Sequence, residues 1–251
     1  MKEASEKDII AGGKGECSED DRIEISPVAR IHTDFGEKYG IPRQAGVVPD
    51  LRGEIVFTPE FRDENCLRDI EGFDYLWLIW GFSGNRDRGW SPTVRPPRLG
   101  GNKRVGVFAS RSPVRPNYLG LSCVRLIDIR KDAENGTTLI VGGGDLMDGT
   151  PIYDIKPYVP YSDSKPDARG GFTEDQWPVL EVVIPRELEM KIPPDKRKAL
   201  RGVLSQDPRP GYKRNDTGVH GMVFGENNIR FAVENGVLRV MAVEEAEKVG
   251  R

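Results

Sequence analysis

Hydrophobic positions along the chain form short runs that predict strands more often than helices. The clearest run, Phe73–Phe82 (FDYLWLIWGF), is continuously apolar and aromatic, and its length and composition favour a central strand. Shorter runs predict further strands at Arg22–Ile31, Gly53–Thr58, Lys103–Ala109, Leu121–Ile129, Thr137–Val141 and Leu180–Ile184. The turn pair Asn135-Gly136 predicts a hairpin ahead of Thr137, and Asn235-Gly236 predicts a terminal hairpin joining Ile229–Val233 to Leu238–Val243.

Helical patterns are few. One segment, Phe61–Ile70, places Leu67 and Ile70 on one face, and Asp195–Leu204 is the second helix candidate. Strands and helices do not alternate regularly, which disfavours a doubly wound parallel sheet. The predicted fold class is therefore mainly β, an antiparallel β-barrel-like domain that is not Rossmann-like, with a small α+β C-terminal appendage.

Composition divides the chain into four parts. Residues 1–21 carry seven acids against three lysines and predict a disordered acidic tail. Residues 22–165 hold most predicted strands and form the barrel-like domain. Residues 166–179 are polar and rich in Gly and Pro, as in a linker, and residues 180–251 form the small C-terminal domain.

The bulk composition limits the cellular compartments and the classes of protein that fit this sequence. Hydrophobic residues make up 37% of the chain, and no apolar run approaches the ~18 residues of a membrane span. The polar, charged N-terminus is unlike a signal peptide. The cysteines Cys17, Cys66 and Cys123 are odd in number and far apart, which disfavours a disulfide framework or a structural zinc site. We expect a cytoplasmic protein without a bound metal.

Charge is distributed unevenly along the chain. The net charge is −3, yet Gly89–Val124 contains no Asp or Glu. This basic segment holds Arg95, Arg98, Lys103, Arg104, Arg111 and Arg115. An acid-free basic stretch in an acidic protein indicates a polyanionic partner such as nucleic acid. A solvated loop balanced by charges elsewhere in the fold is the alternative.

The glycine run Gly142–Gly144 superficially resembles the phosphate turn of a dinucleotide-binding fold. That fold needs a GxGxxG pattern and a following helix, whereas Pro151 and Pro157 follow closely here. The glycines therefore predict a bend or a close approach of two backbones.

Three polar segments punctuated by Gly and Pro are candidates for ligand-binding loops. They are Pro42–Gly46 (PRQAG), Arg111–Ser122 (RSPVRPNYLGLS) and Asp145–Tyr158 (DLMDGTPIYDIKPY). Prolines fix the backbone and glycines let a ligand approach it closely. Each segment alone is equally compatible with a structural turn.

Taken together, these segments resemble the TrmO (YaeB-like) family, the tRNA N6-threonylcarbamoyladenosine methyltransferases. The matching blocks are PRQAG, EGFDYLWLIWGF, GWSPTVRPPRLGGNKRVGVFASRSPVRPNYLGLS and DLMDGTPIYDIKPYVPYSDS, with QDPRPGY at 206–212 in the appendage. The resemblance implies a barrel-like methyltransferase that acts as a homodimer in the cytoplasm and uses S-adenosylmethionine. It also implies that the substrate is the threonylcarbamoyl-modified adenosine beside the anticodon of tRNA.

The resemblance also implies a set of cofactor-binding residues. They are Gln44, Ala45, Gly46, Phe82, Ser83, Arg111, Leu121, Asp148, Gly149, Thr150 and Pro151. The strand that leads to His32 departs from the family's pattern, so His32 receives no role.

Methyl transfer from a sulfonium needs alignment more than a strong acid or base. We hypothesise that Asp148 or Asp154 orients the adenosine nitrogen or removes its proton, and that Tyr158 stacks on the base. The predicted RNA-binding residues are Arg43, Arg95, Arg98, Lys103, Arg104, Arg115 and Arg209. Two alternatives remain, a non-catalytic RNA-binding barrel and a methyltransferase for a different substrate.

Overall fold

The computed structural model describes residues 22–82, 84, 89–100, 103–174, 178–210, 213 and 216–246. The predicted acidic tail, 1–21, lies outside the described residues. The strands are β1 (Ala29–Thr33), β2 (Arg52–Phe57), β3 (Tyr75–Gly81), β4 (Thr93–Val94), β5 (Val105–Gly106), β6 (Leu119–Asp132), β7 (Gly136–Gly142), β8 (Thr150–Pro157), β9 (Glu181–Val183), β10 (His220–Phe224), β11 (Asn227–Glu234) and β12 (Val237–Glu245). The α-helices are α1 (Pro160–Asp163), α2 (Arg186–Glu189) and α3 (Arg197–Ser205).

Six strands close into an antiparallel barrel in the order β1-β2-β7-β6-β3-β8. The alternation of apolar and polar positions drives closure, because inward-facing residues such as Ile31, Leu78 and Leu139 are fully buried. Since all neighbours are antiparallel, the ends of β1, β3 and β7 meet the starts of β2, β6 and β8 at one rim. The loops at this rim carry all three segments that the sequence singled out.

A second sheet follows the barrel in the chain. Its order is β10-β11-β12-β9, with β9 parallel to β12 and the other pairs antiparallel. Helix α3 buries Leu200, Val203 and Leu204 in the core that this sheet forms. The mainly β, barrel-containing fold class is confirmed, and the domain boundaries at 165 and 180 stay a prediction.

Most predicted elements are confirmed, including the aromatic strand and both Asn-Gly hairpins. The helix predicted over Phe61–Ile70 is wrong, because the segment is broken into short 3-10 turns. Asp63 accepts a hydrogen bond from the Asn65 amide, and Asp69 takes a left-handed conformation (φ 65°), so a continuous helix cannot form. The apolar side chains of this segment still pack against the barrel core.

Two strand predictions are too long. The first strand begins at Ala29, and residues 22–27 have no secondary structure. The strand predicted at Lys103–Ala109 shrinks to β5, because the chain turns into a 3-10 helix at Val107–Ala109. None of the described helices is long and apolar enough to cross a membrane.

Candidate active site at the rim of the barrel

A cavity of about 480 Å³ lies at the barrel rim where the three loop segments meet. This volume is in the range of ligand-binding pockets. The first segment contributes Arg43 and Gln44, and the third contributes Asp145 and Thr150. The second segment contributes Arg111, Pro113, Arg115, Leu119, Gly120 and Leu121. The end of β3, from Trp80 to Phe82, forms another wall.

The wall at β3 depends on a glycine. Trp80 lies directly across the sheet from Gly120 on β6, and its indole occupies the space that a side chain there would fill. A Cβ at Gly120 would lie 2.4 Å from the Trp80 ring. The Trp80 ring also packs edge-on against Phe82, at 4.3 Å between ring centroids. This packing fixes the aromatic wall.

A chain of hydrogen bonds runs from this wall to a buried acid. The indole Nε1 of Trp80 donates to Ser122 Oγ at 2.9 Å, and Ser122 Oγ donates to Asp145 Oδ1 at 2.6 Å. Trp80 and Ser122 are both buried. The carboxylate of Asp145 is therefore held in one orientation at the cavity wall.

Burial raises the pKa of Asp145 above its ordinary value. Hydrogen bonding from Ser122, the positive charge of Arg111 and the main-chain amide of Ala45 offset part of this effect. The pKa therefore lies closer to neutrality than that of a solvated Asp, which suits a group that exchanges protons.

The glycine bend after β7 joins two of the loops. Gly143 has φ +73°, its carbonyl accepts a hydrogen bond from the Gly46 amide at 2.8 Å, and a Cβ there would lie 3.3 Å from the Gly46 backbone. The prediction that Gly142–Gly144 mark a bend and a close backbone approach is confirmed. This contact holds the PRQAG segment beside Asp145.

The structure brings together five of the predicted cofactor-binding residues. The residues that line the cavity are Gln44, Phe82, Arg111, Leu121 and Thr150. A guanidinium nitrogen of Arg111 donates to the side-chain oxygen of Gln44, which links the first two segments. Ser83 lies outside the described residues.

The other predicted cofactor residues shape the loops behind the cavity. The Gly149 amide donates to the Ile31 carbonyl, and the Gly149 carbonyl accepts from Arg30, each at 2.8 Å. Pro151 is buried in β8 opposite Arg30. Ala45 and Gly46 act through their backbones, as described above.

The three residues predicted to be catalytic do not line this cavity. Asp148 accepts from the Thr33 amide and lies 3.1 Å from Nδ1 of His32. Asp154 is paired with Lys156 at 2.7 Å and is half exposed. Tyr158 packs its ring against Tyr75 and Trp77.

The predicted RNA-binding residues fall into three groups. Arg43 and Arg115 line the cavity itself. Arg95, Lys103 and Arg104 are exposed, and Arg98 is partly exposed, on the segment next to it. Two exposed aromatic side chains accompany them: Phe108 is 79% exposed and Trp90 is 51% exposed.

The prediction that Arg209 binds RNA is corrected by the structure. Its side chain is only 4% exposed, and its guanidinium pairs with Asp207 at 2.8 Å and donates to the Asp216 carbonyl. Asp207 and Arg209 are separated by one residue, so a local turn brings their side chains together inside the C-terminal domain. The side chain is thus unavailable to phosphate.

Asp145 and Ser122 lie in segments that the sequence predicted as ligand-binding loops, but neither was predicted individually as a site residue, and Trp80 was not predicted as one either. Asp145 had a readable signal, because an acid directly after a buried strand and a glycine bend lies at a strand's end, where sites form. No comparable sequence signal marked Ser122 and Trp80, because their contact follows from the pairing of β3 with β6. In the described part of the chain, no three His, Cys, Asp or Glu side chains cluster as metal ligands.

Comparison with known proteins gives concordant results for both parts of the chain. The family model of the tRNA-methyltransferase O N-terminal domain matches residues 30–164, and that of the TrmO C-terminal domain matches residues 180–246. A tRNA (adenine(37)-N6)-methyltransferase of Escherichia coli (strain K12) is 36% identical over 234 residues, covering 88% of this chain and 98% of the relative. One from Eikenella corrodens is 43% identical, covering 70% of this chain and 99% of the relative.

The fold is also similar to solved structures. A crystal structure of TrmO from Pseudomonas aeruginosa matches with a TM-score of 0.73 and 29% identity. The match covers 89% of this chain and 98% of that one.

Proposed function

The chain belongs to the TrmO family of tRNA methyltransferases, and from this premise we propose that it methylates N6 of adenine 37 in tRNA. The modified adenosine is the threonylcarbamoyl derivative, and the methyl donor is S-adenosylmethionine. The single observation that carries the proposal is the meeting of three loop segments around one cavity with the buried Asp145 at its wall. A tRNA substrate is consistent with action in the cytoplasm, and we propose a homodimer.

The chemistry of the cavity walls fits S-adenosylmethionine. Apolar surfaces from Ile41, Leu119 and Leu121 suit an adenine ring, while cations such as Arg111 suit the carboxylate of an amino acid. When bound, the cofactor supplies an electrophilic methyl group on a sulfonium. Gln44, Phe82 and Thr150 are the further contact residues, and Ala45, Gly46, Asp148, Gly149 and Pro151 hold the loops in shape.

We assign the proton-accepting role to Asp145 in place of Asp148, Asp154 and Tyr158. The exocyclic nitrogen loses its proton as it gains the methyl group, so a base at the cavity would assist the reaction. Asp145 satisfies three conditions for this base: it faces the cavity, its orientation is fixed by Ser122, and its pKa is raised by burial. Asp148 instead serves to fix the turn that carries Thr150.

The basic segment supplies the face for tRNA. Arg95, Lys103 and Arg104 are suited to phosphates, and the exposed rings of Trp90 and Phe108 are suited to stacking on unpaired bases. An anticodon loop offers both chemistries at once. Arg43 and Arg115 line the cavity itself and are therefore suited to contact the modified nucleotide.

The proposal is tested by two measurements on the same protein. Calorimetry with S-adenosylmethionine is expected to show binding, and mass spectrometry of nucleosides from incubated tRNA is expected to show one added methyl on threonylcarbamoyladenosine. Binding of tRNA without binding of the cofactor would indicate a non-catalytic RNA-binding barrel. A methyl group on another nucleoside would reassign the substrate.

Ser122→Ala is expected to move the acidic limb of the pH profile of kcat/KM to higher pH. The substitution removes a hydrogen bond that lowers the pKa of Asp145, so that pKa rises further. A base is lost as pH falls through its pKa, and a higher pKa brings that loss at a higher pH. Rates at alkaline pH should change little. If the acidic limb does not shift, the hydrogen bond from Ser122 to Asp145 does not influence the proton transfer.

A further inference from the structure

The loop between β1 and β2, residues 34–51, has two faces with different partners. We call it the cavity loop. Lys38, Ile41, Pro42, Arg43 and Gln44 line the cavity on one face. The described chain has neither helix nor strand between residues 34 and 51, a length at which an irregular loop needs support from elsewhere.

The opposite face of the cavity loop enters the core of the C-terminal domain. Phe35, Val48 and Leu51 are 1–3% exposed and belong to one cluster with residues of α3 and the second sheet. Phe35 packs edge-on against Phe224, at 5.6 Å between ring centroids. These three side chains are therefore buried by the C-terminal domain and not by the barrel core.

Polar contacts fix the beginning of the cavity loop to the same domain. The Asp34 carbonyl accepts from the Gly225 amide at 2.8 Å, and the largely buried Asp34 carboxylate pairs with Lys196. At the other end, Asp50 pairs with Lys198, whose side chain is 80% exposed. A highly exposed ion pair of this kind contributes little to stability. The contacts of Asp34 are therefore the main polar attachment of the loop to the C-terminal domain.

Helix α3 also approaches the cavity loop closely at Gly202. A Cβ at Gly202 would lie 2.6 Å from Val48 Cγ1, so only glycine lets the helix and the loop meet as they do. Gly202 has an ordinary helical φ, since it is absent from the residues with positive φ. An alanine there requires no positive φ, and its three nearest atoms all belong to Val48.

We propose that the C-terminal domain positions the cavity loop and thereby sets the affinity for the methyl donor. The residues concerned are positioning residues, since Gly202, Val48, Phe35 and Phe224 lie outside the cavity lining. This inference rests on the proposed function, because it takes the cavity as the donor site. It gives the C-terminal domain a role that does not require contact with tRNA.

The test is a double-mutant cycle on the full chain with calorimetric binding of S-adenosylmethionine. Gly202→Ala is expected to raise Kd about tenfold by displacing Val48. Adding Val48→Ala removes the obstructing methyl groups and should restore most of the affinity. The matched control is Gly221→Ala in the same domain, where a Cβ meets its nearest atom at an ordinary 3.4 Å. Affinity for tRNA, measured in parallel, should not change in any variant.

The outcomes separate this inference from the proposed function. If the unchanged protein does not bind the donor, the proposed function fails. If it binds and Gly202→Ala binds equally well, or Val48→Ala gives no rescue, the positioning role is overturned. Should Gly202→Ala not fold, Lys196→Met compared with Lys198→Met decides the same question. We expect weaker donor binding in the first only, and equal Kd values would overturn the inference.

Discussion

Asp145→Asn is expected to lower kcat for methyl transfer to tRNA by about 10²–10⁴-fold, the usual contribution of a positioned base. Asparagine has nearly the same shape and still accepts the Ser122 hydrogen bond, but it cannot take up the proton of the exocyclic nitrogen. Single-turnover transfer of a labelled methyl group measures the effect. Calorimetry should show donor binding close to that of the unchanged protein, because the substitution leaves the cavity walls in place.

The matched control for this prediction is Asp128→Asn. Asp128 pairs with Arg130 on the barrel exterior, its side chain is 52% exposed, and its loss should leave the rate unchanged. Asp148→Asn and Asp154→Asn test the residues that the sequence favoured. Full turnover by the Asp145 variant would remove this residue from the mechanism, and a rate loss explained by lost donor binding would make it a binding residue.

Neutralising Arg95, Arg98, Lys103 and Arg104 together, each to Gln, is expected to weaken tRNA binding roughly 100-fold at 0.15 M salt. Four contacts of about 0.7 kcal/mol each sum to that factor. The slope of log affinity against log salt should also become shallower by about 3, at ~0.7 per contact with single-stranded RNA. Donor binding should be unaffected. Filter binding across a salt series measures both quantities.

A second fourfold variant controls for net charge. Arg68, Arg125, Arg130 and Lys131 are exposed on other parts of the barrel domain, and changing them to Gln alters the charge by the same amount. This variant should keep the salt slope of the unchanged protein. Equal losses in the two variants would mean that the basic segment attracts tRNA only through overall charge.

The fold was predictable where local pattern decides the structure. The aromatic run at Phe73–Phe82 contains β3, which pairs with β6 on one side and β8 on the other and buries Leu76, Leu78 and Trp80 in the barrel. The segment at Phe61–Ile70 misled because Leu67 and Ile70 have helical spacing, whereas Asp63 and Asp69 set the backbone through local hydrogen bonds and a left-handed turn. Local side-chain bonds of this kind override periodicity.

The site was predictable as a set of loops but not as a set of contacts. The family resemblance and the Gly and Pro punctuation identified all three segments that meet at the cavity. The contacts of the proposed proton acceptor depend on strand pairing: the register of β3 against β6 brings Trp80 to Gly120, and the pairing of β6 with β7 brings Ser122 near Asp145. Arg209 is a second example. Its charge predicted a contact with phosphate, whereas in the structure its side chain is buried and paired with Asp207.

The pairing of Asp34 with Lys196 spans 162 positions of the chain. At ribosomal rates of 5–20 residues per second, the partner emerges roughly 10–30 s after the loop that needs it. The barrel strands can pair during that interval, but Phe35, Val48 and Leu51 have no core to enter. During synthesis these side chains therefore lack their core until α3 and the second sheet have emerged, and we expect a chain truncated before α3 to leave the cavity loop without this support.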